Sequence, residues 1–321
     1  MAMKTKSAPK LPFEMTEICF GTSGLGNMPD TYGYEVSEER ALDTVRAIFA
    51  QTPCFLDSSR NYGFGRSEER VGMVIRERGG LPEGCVLSTK LDRGVDDVLD
   101  AARARRSLEE SLTALGLDRI DILHLHDPEH CASLEPITKT GGALDELFKM
   151  KEEGIVGAVG LAMGDLEIMT AIMPDWDFDT IISHNRFTLI NRSADALFSD
   201  AHERGIAVFN AAPYASGVLA KGTANSRRMT YQDASDEQLE PVRRVEAVCA
   251  RHGIPVGAAA LQFSMRDTRI TSTICGVSKP ERVHETLDWA AWEIPEAAWD
   301  ELMALPFGTD DPEATRVYKP G

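Results

Sequence analysis

The chain has 321 residues, of which 43% are apolar, and its formal net charge is −17. A strongly anionic surface repels phosphate backbones and anionic lipid, so we expect neither nucleic acid nor a membrane as partner. The first ten residues are not followed by the apolar segment of a signal peptide, and no run reaches the roughly 18 apolar residues of a membrane span. The composition therefore predicts a cytoplasmic protein that acts on a small molecule, and it predicts no particular oligomeric state.

Short apolar runs rich in β-branched residues recur eight times, with helical segments between them. Because these runs are nearly continuously apolar, they predict strands that are covered on both faces, as in a parallel sheet. The predicted strands cover residues 18–22, 54–58, 85–90, 119–126, 156–162, 180–184, 206–211 and 272–277.

The segments between the strands carry helical spacing. In the first of them Ser37 is a predicted N-cap, and Glu38 and Glu39 suit the positive end of the helix dipole. The sequence SEERVGMVIRERGG repeats this pattern, from Ser67 to a stop at Gly79 and Gly80. Strand and helix thus alternate along the whole chain.

Eight alternations favour a (β/α)8 TIM barrel, an α/β fold, over an open doubly wound sheet. An open sheet would want a GxGxxG turn after its first strand, whereas residues 21–26 read GTSGLG and space their glycines differently. We expect one barrel domain over residues 1–321, with a loose N-terminal tail over 1–12 and a C-terminal surface tail over 306–321. Between strands seven and eight lies a long loop with extra helix, over 236–252 and 255–265, and such insertions are usually functional.

The six cysteines contain no CxxC pair, and most adjoin apolar runs. We expect buried free thiols and no disulfide in a large cytoplasmic chain.

Four residues stand at the end of a predicted strand or in the loop after it. They are Asp57, Tyr62, Lys90 and His126. A parallel barrel brings the carboxyl ends of all its strands together, so these groups should meet. A lysine ammonium would lower the pKa of the tyrosine from its usual value near 10, the aspartate would hold the lysine, and the histidine would bind the substrate oxygen or relay a proton. Such a set moves protons but supplies no hydride, so it implies a cofactor, with nicotinamide as first candidate.

The stretches FLDSSRNYGFGRSEERVG, VLSTK and IDILHLHDP resemble the catalytic motifs of the aldo-keto reductase superfamily, and the resemblance covers nearly the whole chain. It implies a (β/α)8 barrel that binds NAD(P)H at its carboxyl end. It also implies Tyr62 as proton donor or acceptor, Lys90 and Asp57 as the groups that tune it, and His126 as the group that orients the substrate.

Two further stretches resemble the cofactor-binding parts of that superfamily. Around the pyrophosphate the resemblance implies Ser216, Gly217 and Leu219. Around the adenosine phosphate it implies Gly276, Ser278, Lys279 and Arg282. Because Arg282 falls where the superfamily places its arginine for the 2′-phosphate, NADP is favoured and NAD is the alternative.

The chain departs from the superfamily where the nicotinamide is held. Many members have a Ser-Asn pair after strand five and an aromatic residue after strand seven, whereas this chain has Ala162, Met163 and Ala211. His184 and Asn185 are then the candidates for holding the carboxamide, and which of them faces inward depends on the strand register.

These departures and the stretch HNRFTLINRSADALF resemble the branch of D-threo-aldose 1-dehydrogenase, L-fucose and L-galactose dehydrogenases and pyridoxal 4-dehydrogenase. That branch implies oxidation of a cyclic hemiacetal to its lactone. A broad NADPH-dependent aldehyde or ketone reductase and a cofactor-binding regulatory barrel are the alternatives. A metal hydrolase using His124 and His126 is disfavoured because no aspartate ends strand eight, and no metal is predicted. The candidate substrate-pocket residues are Met28, Tyr32, Arg60, Asn61, Phe64, Asp127, Phe187 and Tyr214.

Overall fold

Eight parallel strands close into a barrel in the computed structural model, which describes residues 3–316. Each strand pairs with its neighbours in sequence, and the last pairs with the first. The strands are β1 (Ile18–Gly21), β2 (Cys54–Asp57), β3 (Cys85–Leu91), β4 (Ile120–His126), β5 (Val156–Ala162), β6 (Thr180–His184), β7 (Ala207–Ala211) and β8 (Ile270–Gly276). The predicted (β/α)8 barrel is confirmed, and no predicted strand end is wrong by more than about two residues, the usual uncertainty of such boundaries.

Helices surround the barrel. The longer ones are α1 (Glu38–Phe49), α2 (Arg66–Arg78), α3 (Ala101–Leu115), α4 (Ala143–Glu152), α5 (Leu166–Ile172), α6 (Asp195–Glu203), α7 (Asp236–His252), α8 (Val256–Arg266), α9 (Pro280–Ala290) and α10 (Glu296–Met303). Shorter helical turns are Ser23–Gly26, Pro29–Tyr32, Pro128–His130, Glu135–Thr138, Met173–Asp175, Ala215–Gly217 and Val218–Lys221. Within residues 3–316 no helix is both long and apolar enough to span a bilayer.

The two predicted serine caps behave differently. The hydroxyl of Ser37 accepts a hydrogen bond from the amide of Arg40 and caps α1 as expected. Helix α2 instead begins after Gly65, which has a φ of 95°, and the hydroxyl of Ser67 donates to the carbonyl of Thr22 at 2.8 Å. The prediction of Ser67 as a helix start is therefore wrong, and this side chain anchors α2 to the loop after β1.

The lower end of the barrel is closed by apolar side chains and by the N-terminal segment. Thr5–Lys6 pairs with Met15–Thr16 as a small hairpin, and the Nζ atom of Lys6 donates to the carbonyl of Ile270. The expected loose tail over 1–12 is therefore wrong for the paired residues, and residues 1 and 2 lie outside the described residues. In barrels of this kind the functional site lies at the other end, where the carboxyl ends of the strands meet.

The C-terminal segment also departs from expectation. Gly308 pairs with Asn191, and the carboxylate of Glu313 is buried against the barrel mouth, with 7% of its side chain exposed. The segment thus forms part of the site, and the predicted surface tail over 306–321 is wrong for Glu313. Residues 317–321 of that tail lie outside the described residues.

Cys54 and Cys85 form a disulfide between β2 and β3. The two residues are register partners on adjacent strands, with Cα atoms 4.6 Å apart. The expectation of free thiols throughout is wrong for this pair, because residues that are distant in sequence become direct neighbours across a parallel ladder. Cys19, Cys131, Cys249 and Cys275 are free.

Candidate active site

A cavity of about 500 Å³ opens at the carboxyl end of the barrel. The four residues predicted from their positions at strand ends, Asp57, Tyr62, Lys90 and His126, all line it. Its volume falls within the range of about 300–1,000 Å³ that is usual for small-molecule binding sites.

Lys90 and Asp57 form a closed ion pair at the base of this cavity. The Nζ atom of Lys90 lies 2.8 Å and 2.7 Å from the two carboxylate oxygens of Asp57, and it also donates to the carbonyl of Ser58 at 2.6 Å. Ser88 donates to the same carboxylate. Both partners are nearly fully buried, and these short contacts fix the two side chains in place.

Tyr62 projects beside this pair with its ring half-buried. Burial, followed by the nearby carboxylate of Asp57, raises the pKa of Tyr62 above its usual value. The Nζ atom of Lys90 lies 4.7 Å from the centre of the tyrosine ring, and its hydrogen bonds go to Asp57 and Ser58. The expected lowering of the tyrosine pKa by Lys90 is therefore wrong for these residues on their own, and Tyr62 is a neutral phenol.

His126 is held by a carboxylate that the sequence did not single out. Its Nδ1 atom lies 2.5 Å from Oδ1 of Asp92, and its Nε2 atom lies 3.5 Å from Oδ1 of Asp127. Burial opposes the charged imidazolium, but Asp127 and Asp92 outweigh it and raise the pKa of His126. The ring also meets Tyr62 edge-on, with ring centres 5.9 Å apart.

His124 faces the barrel core. Its Nε2 atom is 2.8 Å from the hydroxyl of Thr180, and its ring packs against Phe209. Burial, together with Lys90, lowers the pKa of His124. It is thus a neutral core residue whose ring is held by a hydroxyl.

The predicted cofactor residues lie along one side of the cavity, with two exceptions. Those that line it are His184, Ser216, Gly217, Gly276, Ser278, Lys279 and Arg282. Leu219 is fully buried, and its amide donates to the carbonyl of Tyr214. Asn185 is buried and donates from Nδ2 to Glu313 at 2.8 Å. Of the two candidates at the end of β6, His184 is therefore the one beside the cavity.

A cluster of cations marks the far end of this side. Lys221, which the sequence analysis missed, lines the cavity together with Lys279 and Arg282. Burial, followed by the charges of Arg282 and Lys279, lowers the pKa of Lys221. Arg282 pairs with Glu285 at 3.0 Å, whereas neither lysine lies in an ion pair with a carboxylate of the described residues. Cations that repel one another in a cleft fit a ligand with several phosphate charges.

The C-terminal segment also reaches the site, where the buried carboxylate of Glu313 contacts His184. This carboxylate lies 2.9 Å from Nδ1 of His184 and 3.2 Å from Nη1 of Arg186, and it accepts from Arg316 at 2.6 Å. Burial would raise the pKa of this carboxyl, but His184, Arg186 and Arg316 outweigh it and hold the pKa of Glu313 well below its usual range. Arg316 in turn lines the cavity and lies over the ring of Tyr231.

Five of the eight predicted pocket residues line the cavity. They are Met28, Tyr32, Asn61, Asp127 and Tyr214. The other three do not: Arg60 pairs with Glu68 and Glu69, Phe64 is 68% exposed, and Phe187 packs in the core.

Two aromatic residues of the cavity wall were not predicted from the sequence. Tyr34 and Tyr231 join Tyr32 at the cavity mouth. Tyr231 lies in the insertion between β7 and β8, so the length of that insertion was the one available signal.

A closed parallel barrel with a tyrosine, a lysine–aspartate pair and a histidine around its open end, beside a cationic cleft, defines the class of barrel oxidoreductases. The chain belongs to the aldo/keto reductase family, whose model matches residues 17–305. It is therefore an NAD(P)-dependent oxidoreductase.

The chain is similar to D-threo-aldose 1-dehydrogenase of a Pseudomonas species, with 29% identity over 88% of this chain and 92% of the relative. It is also similar to pyridoxal 4-dehydrogenase of Microbacterium luteolum, with 26% identity over 94% of this chain and 98% of that protein. Among solved structures, the aldo-keto reductase AKR11C1 from Bacillus halodurans superposes with a TM-score of 0.78 at 16% identity, covering 98% of this chain and 100% of the other. That likeness supports the fold alone.

Proposed function

We propose that the chain oxidises an aldose, or a similar cyclic hemiacetal, to its lactone with NADP or NAD, and that Tyr62 is the acid–base group. The observation that carries this is the meeting of Asp57, Tyr62, Lys90 and His126 at one cavity beside a cationic cleft. The names of the relatives, an aldose dehydrogenase and a pyridoxal dehydrogenase, support the substrate class.

Each residue of the site has a separate task. The hydroxyl of Tyr62 contacts the anomeric hydroxyl and takes its proton, and His126 lies against the same tyrosine ring. Lys90 and Asp57 hold a fixed charge pair beneath Tyr62. A bound oxidised nicotinamide would supply the acceptor for the hydride of the anomeric carbon. Asn61, Asp127 and Arg316 add polar groups to the cavity, which suits a polyhydroxylated ring.

The cofactor would lie along the cationic side of the cavity. His184 is the proposed contact of the carboxamide, Ser216 and Gly217 of the pyrophosphate, and Lys279 and Arg282 of the adenosine phosphate. We favour NADP because Lys221 and Lys279 bring positive charge that no carboxylate of the described residues pairs, and the 2′-phosphate would neutralise it.

A reductase of broad carbonyl specificity is the second candidate, and the aromatic wall favours it. Tyr32 packs against Tyr34 and Tyr231 with ring centres 5.9 Å and 6.1 Å apart. A wall of aromatic rings also suits a flat substrate ring such as that of pyridoxal. The assay must therefore measure both oxidation and reduction.

The first experiment measures the near-ultraviolet absorbance of reduced nicotinamide after the protein is incubated with NADP or NAD and one substrate. The substrates are L-fucose, L-galactose, D-arabinose, pyridoxal and simple alcohols. The reverse assay uses NADPH with free aldehydes. Cofactor reduction with an aldose or pyridoxal supports the proposal, and turnover only with NADPH and aldehydes supports the reductase. If the protein binds the cofactor but converts no substrate of the panel in either direction, both enzyme candidates are contradicted and a regulatory barrel is supported.

The same assay tests Tyr62. We expect Tyr62→Phe to lower kcat by at least about 10²-fold, the usual contribution of a positioned acid–base group, while cofactor binding followed by fluorescence stays within about twofold. Near-normal kcat in this variant would contradict the acid–base role.

A further inference from the structure

Asp92 is a buried carboxylate at the end of β3 whose two oxygens face different partners. Oδ1 meets Nδ1 of His126 at 2.5 Å. Oδ2 accepts from the hydroxyl of Ser59 at 2.7 Å and from the backbone amide of Asn61 at 2.9 Å. Only 5% of Asp92 is exposed. The backbone of Asp92 is also held in place, because its amide donates a hydrogen bond to the hydroxyl of Ser107 on α3. The carboxylate is thus fixed on every side.

We propose that Asp92 is a positioning residue for His126, holding the ring by its Nδ1–H so that the Nε2 lone pair serves as the final proton acceptor of the reaction. This rests on the proposed function. In oxidation the hydroxyl of Tyr62 accepts the substrate proton and passes its own proton to Nε2. The tyrosine therefore ends neutral and the histidine ends as an imidazolium. In reduction the same two protons move back.

This assignment follows from donor and acceptor chemistry. An ionised carboxylate only accepts hydrogen bonds, so Nδ1 of His126 must carry its hydrogen where it meets Asp92. In the neutral ring Nε2 is then an acceptor, which is the state a base requires. The relay also explains how Tyr62 can exchange protons although its surroundings disfavour a phenolate.

Other ionisable groups face His126 and enter its proton balance. From the described elements around the ring they are Asp92 and Lys90 of β3 and its following loop, Tyr62 after β2, Asp127 and His130 after β4, and His124 on β4 itself. The two carboxylates favour the imidazolium and Lys90 opposes it. Asp127 lies near Nε2 and Asp92 contacts Nδ1. Loss of Asp92 therefore removes one of the two carboxylates that favour the imidazolium, namely the one that contacts Nδ1.

Asp92→Asn reverses the hydrogen bonding without changing the shape. The backbone amide of Asn61 is a donor under all conditions, so the amide oxygen of the new side chain must take the place of Oδ2. Its NH2 group then faces Nδ1 of His126 and forces the hydrogen onto Nε2. The ring stays in place, but it loses its free acceptor, as in triads whose aspartate is replaced by asparagine.

Two readouts test this. In the wild type we expect ring nitrogen NMR to show hydrogen on Nδ1 of neutral His126, and kcat/KM for oxidation to rise with pH through an ionisation above the usual histidine value of about 6.5. In Asp92→Asn we expect hydrogen on Nε2, loss of that ionisation from the pH profile, and a fall in kcat of about 10²-fold or more, with the cofactor dissociation constant unchanged.

A control separates this role from a structural one. Asp97→Asn changes an exposed carboxylate in the same loop, one that pairs with Arg93, so this variant should keep the ionisation. Ser59→Ala is not a suitable control, because the hydroxyl of Ser59 also lies 3.3 Å from Nδ1 of His126. An Asp92→Asn protein that keeps hydrogen on Nδ1, or one that changes tautomer but keeps the wild-type pH profile, overturns the proposal. If no substrate of the panel turns over, the proposed function fails, and the NMR measurement still decides whether Asp92 sets the tautomer.

Discussion

Glu68 is a carboxyl on α2 that has no exposed surface. Thr89 donates to its Oε1 atom, and a guanidinium nitrogen of Arg60 lies 3.7 Å from Oε2. Burial outweighs both and raises the pKa of Glu68 to about 7. A buried carboxyl of this kind is most stable when it is protonated, because desolvation penalises the charged form.

The stability of the protein should therefore depend on the ionisation of Glu68. Its folded-state pKa lies above its unfolded value of about 4.3, so its contribution is fully present below that value and is lost as pH rises through about 7. In Glu68→Gln this loss is absent. Between pH 4 and pH 8 we expect the free energy of unfolding of the wild type to fall by up to about 3 kcal/mol relative to the variant.

Urea denaturation of both proteins across this pH range measures the difference. Glu69→Gln is the matched control, because Glu69 is the adjacent, half-exposed carboxylate that also pairs with Arg60. The difference between this control and the wild type should change far less with pH. Parallel curves for the wild type and Glu68→Gln would contradict the assignment.

Some residues of the site could be predicted from the sequence, and others could not. Asp57, Lys90 and His126 could be found because each stands at the end of an apolar run, and the barrel then brings such ends together. Asp92 could not be found. Its role depends on Nδ1 of His126 and on an amide in a different loop, and neither orientation is encoded by local spacing.

At the scale of elements, regular segments were predictable and irregular ones were not. Apolar periodicity fixed the eight strands and the helices α7 and α8, because burial imposes a repeat of two or 3.6 residues. The C-terminal segment has no such repeat. Its position is set by ion pairs with residues more than a hundred positions earlier, such as Glu313 with Arg186, and these follow only from the folded molecule.

The C-terminal segment should affect substrate binding more than the chemical step. In Glu313→Ala, Arg186, which is 4% exposed, keeps only its pair with Asp311 among the described carboxylates. Arg316 also loses the carboxylate that holds it at the cavity wall. We expect KM for the substrate to rise about tenfold and the free energy of unfolding to fall by about 3 kcal/mol, since one member of a buried charge cluster is removed.

Steady-state kinetics and urea denaturation measure both effects. Asp310→Ala is a suitable control, because it removes an exposed carboxylate three residues earlier whose backbone carbonyl, not its side chain, accepts from Asn191. A variant at Glu313 with unchanged KM and unchanged stability would show that the segment is not part of the site.

At the scale of the whole molecule, the charge is uneven. The chain carries a net charge of −17, yet Lys221, Lys279 and Arg282 meet at one end of the cavity. An anionic cofactor is repelled by the surface as a whole and attracted by this cleft, so the local cluster must supply the attraction. The composition could predict the repulsion, but the cluster joins the loop after β7 with the start of α9 and required the closed barrel.

Lys279 is the best residue with which to test this cluster. Arg282 also lies over the ring of Trp289 and pairs with Glu285, so its loss would disturb the packing of α9. Lys279→Met removes a charge with little change in shape. We expect the dissociation constant for NADP to rise about tenfold, the value of one charge-assisted hydrogen bond, and that for NAD to change less than about threefold.

Fluorescence titration of the reduced cofactors at low and moderate ionic strength gives these constants. Added salt should weaken NADPH binding in the wild type and weaken it less in Lys279→Met, because fewer charges are then screened. Lys139→Met, which removes an exposed lysine that pairs with Glu135 outside the cavity, should behave as the wild type does. Equal effects of Lys279→Met on NADP and NAD would place the lysine at the shared pyrophosphate and would contradict its assignment to the 2′-phosphate.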